Sequence, residues 1–235
     1  MKYVGIDGCK KGWFAVTVEG SDQSYEVKVF ENIKKLWEHY KNDSLKIAID
    51  IPIGLPDKKN KVRQCDIKAR KELGKPRGAG VFPPPSEKVL NAETYEEACV
   101  INKRELGKKI SKQTWSILPK IKEVDSLLSK DKKTGRNIIE IHPEVCFWSL
   151  NNKNAMKHNK KKKEGYEERL KLLKCKYHFT DKLPNYALNN FKRKEVAKDD
   201  ILDALVAAYT AEQAANGNAI AFGGPDEGQI WFPNS

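Results

Sequence analysis

Apolar and polar residues alternate along residues 2–8, 12–19 and 24–31, with Gly or Asp at the joins. This period of two predicts three short strands connected by tight turns. The period then changes, because Ile33, Leu36, Trp37 and Tyr40 recur at helical spacing within residues 32–41 and point to an amphipathic helix leading into the apolar run 45–51. A helix between two strands predicts parallel pairing through a right-handed crossover, which sets the strand ending in Asp50 beside the one ending in Asp7. The segment Ile51-Pro52-Ile53-Gly54-Leu55-Pro56 cannot continue a ladder, since proline lacks the donor, so the chain leaves the sheet there.

Residues 57–137 read as a helical insertion, with a polar helix at 61–73, a rigid loop from Val81 to Ser86, and helices at 94–109 and 117–130. A fifth strand, Asn137 to His142, is stopped by Pro143. The lysine-rich stretch Lys157 to Lys163 is too polar for a core and predicts a solvated loop before a helix at 164–174. A late helix starts at Lys198 or Asp199, and its alanine-rich body through Ala215 is suited to close packing on the sheet, with Gly217 as terminator. Two apolar pieces, 219–222 and 229–232, flank Gly223-Gly224-Pro225 and predict a hairpin or a flap over the core. The sum is an α/β fold: a mixed five-stranded sheet with flanking helices, in one domain over residues 1–235 with its insertion at 57–137.

Composition narrows the function classes. No stretch approaches the roughly 18 apolar residues that cross a bilayer, and the first residues run straight into a strand rather than a leader, so a cytoplasmic location is expected. The five cysteines are widely spaced without a Cys-x-x-Cys pair, which predicts reduced thiols rather than a disulfide framework or zinc site. Lys plus Arg exceed Asp plus Glu by 44 − 32 = 12. That excess suits a polyanionic partner such as nucleic acid, although a lysine-rich composition also arises without one.

Against this basic background four acids stand out. Asp7 and Asp50 each end an apolar run, and Asp200 and Asp203, three apart, share one side of the late helix. If these elements converge, the carboxylates repel one another unless divalent cations neutralise them, and hard oxygen ligands suit Mg²⁺ or Mn²⁺. Buried lysine or arginine counter-ions in the same vestibule would remove that need. Taken singly, Asp7-Gly8 is also a good turn and Asp199 and Asp200 are good first-turn residues. Asp203 lies among Ile201, Leu202, Leu205 and Val206, where an unpaired charge is costly. Glu140, His142 and Glu144 form a second constellation, since strand alternation puts Glu140 and His142 on one face as an acid/base or a structural pair. Arg63, Arg70, Gln113 and Lys120 are candidates for phosphate binding, with ordinary ion pairs as the competing reading. Trp13, Trp115, Trp148 and Phe82 read as core more than as stacking platforms.

The words Val4-Gly5-Ile6-Asp7 and Asp200-Ile201-Leu202-Asp203-Ala204-Leu205 resemble the first strand and acidic helix of Holliday-junction resolvases. Nearly the whole chain is similar to the domain of unknown function 429 family, described as predicted RNase H-like nucleases. The similarity lies in Gly5-Ile6-Asp7-Gly8-Cys9-Lys10-Lys11-Gly12-Trp13, Asp50-Ile51-Pro52-Ile53-Gly54-Leu55-Pro56, Val81-Phe82-Pro83-Pro84-Pro85, and Glu140 with His142-Pro143-Glu144 before Phe147-Trp148. The resemblance implies an RNase H-like fold, Asp7, Asp50, Asp200 and Asp203 as catalytic metal ligands, and two-metal hydrolysis of nucleic-acid phosphodiesters. One departure is Asp50, where those resolvases usually carry Glu. Two other expectations compete: a noncatalytic nucleic-acid-binding protein of the same fold, and a relative of actin-like small-molecule kinases, for which the chain is short and lacks a phosphate-loop signature.

Overall fold

A computed structural model describes residues 1–20, 24–130, 137–225 and 227–234. Strands β1 (Lys2–Cys9), β2 (Gly12–Glu19) and β3 (Ser24–Phe30) form an antiparallel meander. Asn32 caps α1 (Ile33–Tyr40) by accepting from Lys35 N–H at 2.9 Å, and the helix carries the chain over to β4 (Ser44–Ile49), parallel to β1. Strand β5 (Ile138–Glu140) pairs parallel to β4, giving the order β3-β2-β1-β4-β5. The expected placement of β4 beside β1 is what is found. Ile6 lies opposite Ile49, so Asp7 and Asp50 emerge side by side at the carboxyl ends of two neighbouring strands.

Both faces of the sheet are covered, because alternation on β1 and β4 sends apolar side chains each way. Val4, Ile6, Ile47 and Ile49 pack toward α1, α3 (Tyr95–Leu106) and α4 (Lys112–Lys130). Tyr3, Phe14, Val16 and Ala48 pack toward α5 (Pro143–Leu150), α6 (Lys163–Lys174), α7 (Leu183–Asn190) and α8 (Lys198–Ala215). Strands β6 (Ala219–Phe222) and β7 (Ile230–Pro233) form the expected antiparallel hairpin, and Trp231 bridges to Ile141 beside β5.

Several boundaries differ from those read in the sequence. Helix α4 starts at Lys112 instead of 117, because the Ser111 hydroxyl accepts from Thr114 N–H at 2.9 Å and caps a turn ahead of Pro119. The insertion's first helix, α2 (Gln64–Leu73), starts three residues later than expected. Strand β5 is shorter than 137–142, since His142 already serves as N-cap of α5 with Pro143 in its first turn, where the missing N–H costs nothing. Thr94 and Gly107 bound α3 inside 94–109: the Thr94 hydroxyl takes Glu97 N–H at 3.1 Å, and Gly107 adopts φ +81°. Residues 131–136 of the insertion lie outside the described residues.

The contact that positions the site is Gly5 under α8. A Cβ on Gly5 would lie 2.0 Å from the Ala204 carbonyl oxygen and 2.1 Å from Ala208 N, so only glycine lets this helix rest directly on the central strand. Asp7 shares Gly5's side of the strand. Asp200 and Asp203 extend the Ala204–Ala207–Ala208 face by one turn, and the close packing therefore carries them over the end of β1.

Candidate functional site

At that end of the sheet lies a cavity of about 510 Å³. Its floor includes Asp7 and Asp50 from β1 and the end of β4, with Glu140, His142 and Glu144 from β5 and the start of α5. The insertion supplies Asp66, Arg77, Val81, Phe82, Gln113, Ile117 and Lys120, and the lysine-rich loop supplies Asn159, Lys160 and Lys161. Carboxyl ends of parallel strands are where open α/β sheets place ligands.

The four predicted acids converge. Asp7 feels the charges of Asp50, Asp203 and Asp200, and Asp203 feels that of Asp50. Asp203 is 1% exposed and Asp7 8%. Burial, followed by the negative charge of Asp50, raises the Asp7 carboxyl well above its usual range. Burial likewise pushes Asp50, Asp200 and Asp203 up to about 6. Their bonding differs. Asp7 Oδ1 accepts from Gly8 N–H at 2.7 Å, and Asp200 Oδ2 accepts from Ala197 N–H at 2.9 Å, so Asp200 also acts as a helix-terminus residue. Asp203 Oδ1 is buried without a partner.

The other oxygen of Asp203 accepts from Lys160 Nζ at 2.5 Å, and the same ammonium lies 3.8 Å from Asp199 Oδ2. The solvated loop expected over Lys157 to Lys163 therefore needs correcting at one residue: Lys161, Lys162 and Lys163 are exposed, whereas Lys160 turns inward with its side chain 33% exposed. Burial alone would lower its pKa, but Asp203 and Asp7 reverse that and hold the ammonium charged. Among the described residues no group of three or more His, Cys, Asp or Glu side chains is arranged to hold a metal ion. The acids gather around a lysine, not in a preformed ligand cage. Nothing in the sequence separates Lys160 from its neighbouring lysines.

The second constellation splits. Glu140 is 5% exposed and does not pair with His142; it accepts from the Arg63 guanidinium and, at 2.6 Å, from Ile53 N–H. Arg63 Nη1 lies 3.5 Å from Asp66 Oδ1. The expectation that Arg63 binds substrate is corrected accordingly: at 3% exposure it pairs with Asp66 of the insertion and Glu140 of β5 and does not line the cavity. Burial pushes Glu140 up to about 7 against the pull of Arg63. Glu144 Oε1 accepts from Arg169 Nη2 at 2.5 Å, while Glu144 Oε2 has no partner. The buried Arg169 was not legible in the highly charged helix α6. His142 Nδ1 is also buried without a partner, and burial lowers its pKa, which keeps the imidazole neutral.

Arg70 is likewise corrected from substrate binder to loop anchor: its Nε donates to the Val81 carbonyl at 2.5 Å and fixes the Val81–Phe82 wall. Gln113 and Lys120 do line the cavity, with Lys120 Nζ donating to the Gly12 carbonyl at 2.5 Å and lying 4.7 Å from the Trp13 ring centre. Trp13 and Trp148 are core, at 0% and 3% exposure, while Phe82 faces the cavity half-buried. Four cysteines are buried and free and Cys175 is exposed and free, as expected of reduced thiols. Among the described residues no helix is long and apolar enough to cross a membrane.

Comparison with known proteins gives one match: the profile of a family described as "Protein of unknown function (DUF429)" covers residues 5–228. No curated protein and no solved structure gives a significant match.

Proposed function

The chain belongs to the DUF429 family, and from that premise and the geometry of the cavity we propose that it is an RNase H-like, Mg²⁺- or Mn²⁺-dependent nuclease that hydrolyses phosphodiester bonds of nucleic acid. The observation that carries this reading is the gathering of Asp7, Asp50, Asp200 and Asp203 around a single ammonium. One positive charge does not offset four carboxylates, and burial, more than their mutual repulsion, raises their pKa values and favours proton uptake. The donor atoms are of the kind a hard divalent cation takes, all carboxylate oxygens with Asp203 Oδ1 buried and unbonded, although they are not arranged as a ready ligand cage. Asp7, Asp50 and Asp203 would hold the ion, with Asp200 at the edge. When bound, it would supply an activated water and stabilise charge on the leaving oxygen.

The chain's own groups have distinct work around that ion. Lys160 gives way to the incoming cation, since both need Asp203. His142, which lines the cavity and is kept neutral by burial, is placed to accept a proton from water. Lys120 and Arg77 are placed to bind phosphate oxygens.

The ion pair between Lys160 and Asp203 also supports a second reading, in which the lysine neutralises the cluster permanently and the protein binds nucleic acid without cutting it. Incubation of purified protein with Mn²⁺ and labelled oligonucleotides separates the two. The first reading expects cleavage that Asp203→Asn abolishes while the variant stays folded; salt-sensitive binding without cleavage supports the second.

A further inference from the structure

Two walls of the cavity are tied to each other, and their spacing bears on what enters it. Arg77 reaches from the insertion to the lysine-rich loop, with Nε donating to the Met156 carbonyl at 2.9 Å and Nη2 to the Lys157 carbonyl at 3.3 Å. Arg77 itself lines the cavity together with Val81, Phe82, Lys160 and Lys161, so the tie joins the insertion wall to the loop wall. The Phe82 side is itself pinned by Arg70 through the Val81 carbonyl. Of the acids, Asp7 and Asp50 line the cavity, Asp7 at only 8% exposure, whereas Asp203 at 1% is not a lining residue.

We infer that the site admits a single unpaired nucleotide segment and excludes duplex nucleic acid; the inference rests on the nuclease reading and specifies its substrate class. Phosphates of a duplex lie along a stiff, stacked backbone that cannot fold into a recess. A cavity of about 510 Å³ belongs to the size class of small-molecule pockets. Enzymes that work in such recesses take nucleotides out of the stack. An unpaired strand can bend one phosphate down to Asp7 and Asp50 while its base lies on the wall made by Phe82 and Ile117. Arg77, Lys120 and Lys161 then follow the backbone as it enters.

The test uses the full chain with Mn²⁺ and a labelled 12-nucleotide strand, as DNA and as RNA, presented alone or annealed as a blunt duplex. Cleavage is followed on gels and binding by fluorescence anisotropy. The expected result is single-strand cleavage and binding stronger than duplex by about tenfold or more, with Arg77→Ala, which opens the tie, narrowing the ratio. Equal cleavage of duplex and single strand overturns the inference and leaves the nuclease reading standing. Selective single-strand binding with no cleavage of either form keeps the inference and overturns the nuclease reading. A chain that neither binds nor cuts either form overturns both.

Discussion

Glu140 and Asp66 form one acidic set at the cavity, and Asp7 and half-buried Asp50, with buried Asp203 beyond the lining, form a second; the two are neutralised in different ways. Glu140 and Asp66 share Arg63, a residue of the same buried shell, and there the orphaned buried atoms are Arg63 Nε and Nη1 rather than carboxylate oxygens. The second set shares one ammonium, carried on a surface loop among exposed lysines, and Asp203 keeps an orphaned oxygen. A guanidinium in a fixed fork closes an acidic site; a single tethered lysine leaves it able to exchange its cation. On the proposed function, the first cluster is structural and the second is where a ligand would bind.

The largest expected effect breaks the functional cluster. Asp7→Asn and Asp203→Asn should each lower Mn²⁺-dependent cleavage by about a thousandfold or more, since an amide cannot hold the ion that drives the reaction. Circular dichroism should report an unchanged fold. Next comes the structural cluster, where Arg63→Met should cost about 3–5 kcal/mol in chemical denaturation, because it strands two buried carboxylates. Manganese affinity of the folded fraction should stay near wild type. If Arg63→Met instead removed metal binding at full stability, the two clusters would have to exchange roles.

A smaller effect concerns pH. Asp50 titrates near 6 in the fold against 3.8 ordinarily, so the folded state binds a proton that the unfolded chain has released. The stability this contributes is complete below about 4 and is lost as pH rises through about 6. In EDTA, wild type should therefore lose stability between pH 4 and 8, by on the order of 3 kcal/mol for Asp50. Asp50→Asn should flatten that decline and be the more stable protein at pH 8, as denaturation at pH 4, 6 and 8 would show. A wild-type curve that climbed toward pH 8 would contradict the shared-lysine picture. The smallest effect is Lys160→Met, expected to tighten Mn²⁺ binding by about tenfold in calorimetry, because the ion no longer competes with an ammonium.

Much of the scaffold was legible because it depends on local period. Alternation marked β1 and β2, helical spacing marked α1, and the crossover rule put Asp50 beside Asp7. The alanine face of α8 announced close packing, although only the structure shows Gly5 as the residue beneath it. What stayed hidden is long-range partner choice. Arg63 finds Glu140 across 77 positions, and Lys160 finds Asp203 across 43. In the sequence each looks like an ordinary basic residue near polar neighbours, because burial and pairing of a long cation are decided by tertiary approach. The start of α4 is read late, at 117, because the Ser111 cap ahead of Lys112 goes unrecognised in the sequence.

The most direct test of the central claim is an anomalous difference map from crystals grown with Mn²⁺ near neutral pH. The account predicts manganese among the carboxylates of Asp7, Asp50 and Asp203, with Lys160 withdrawn from Asp203. A map without manganese there, in which the Lys160 ammonium still bonds Asp203, would contradict it.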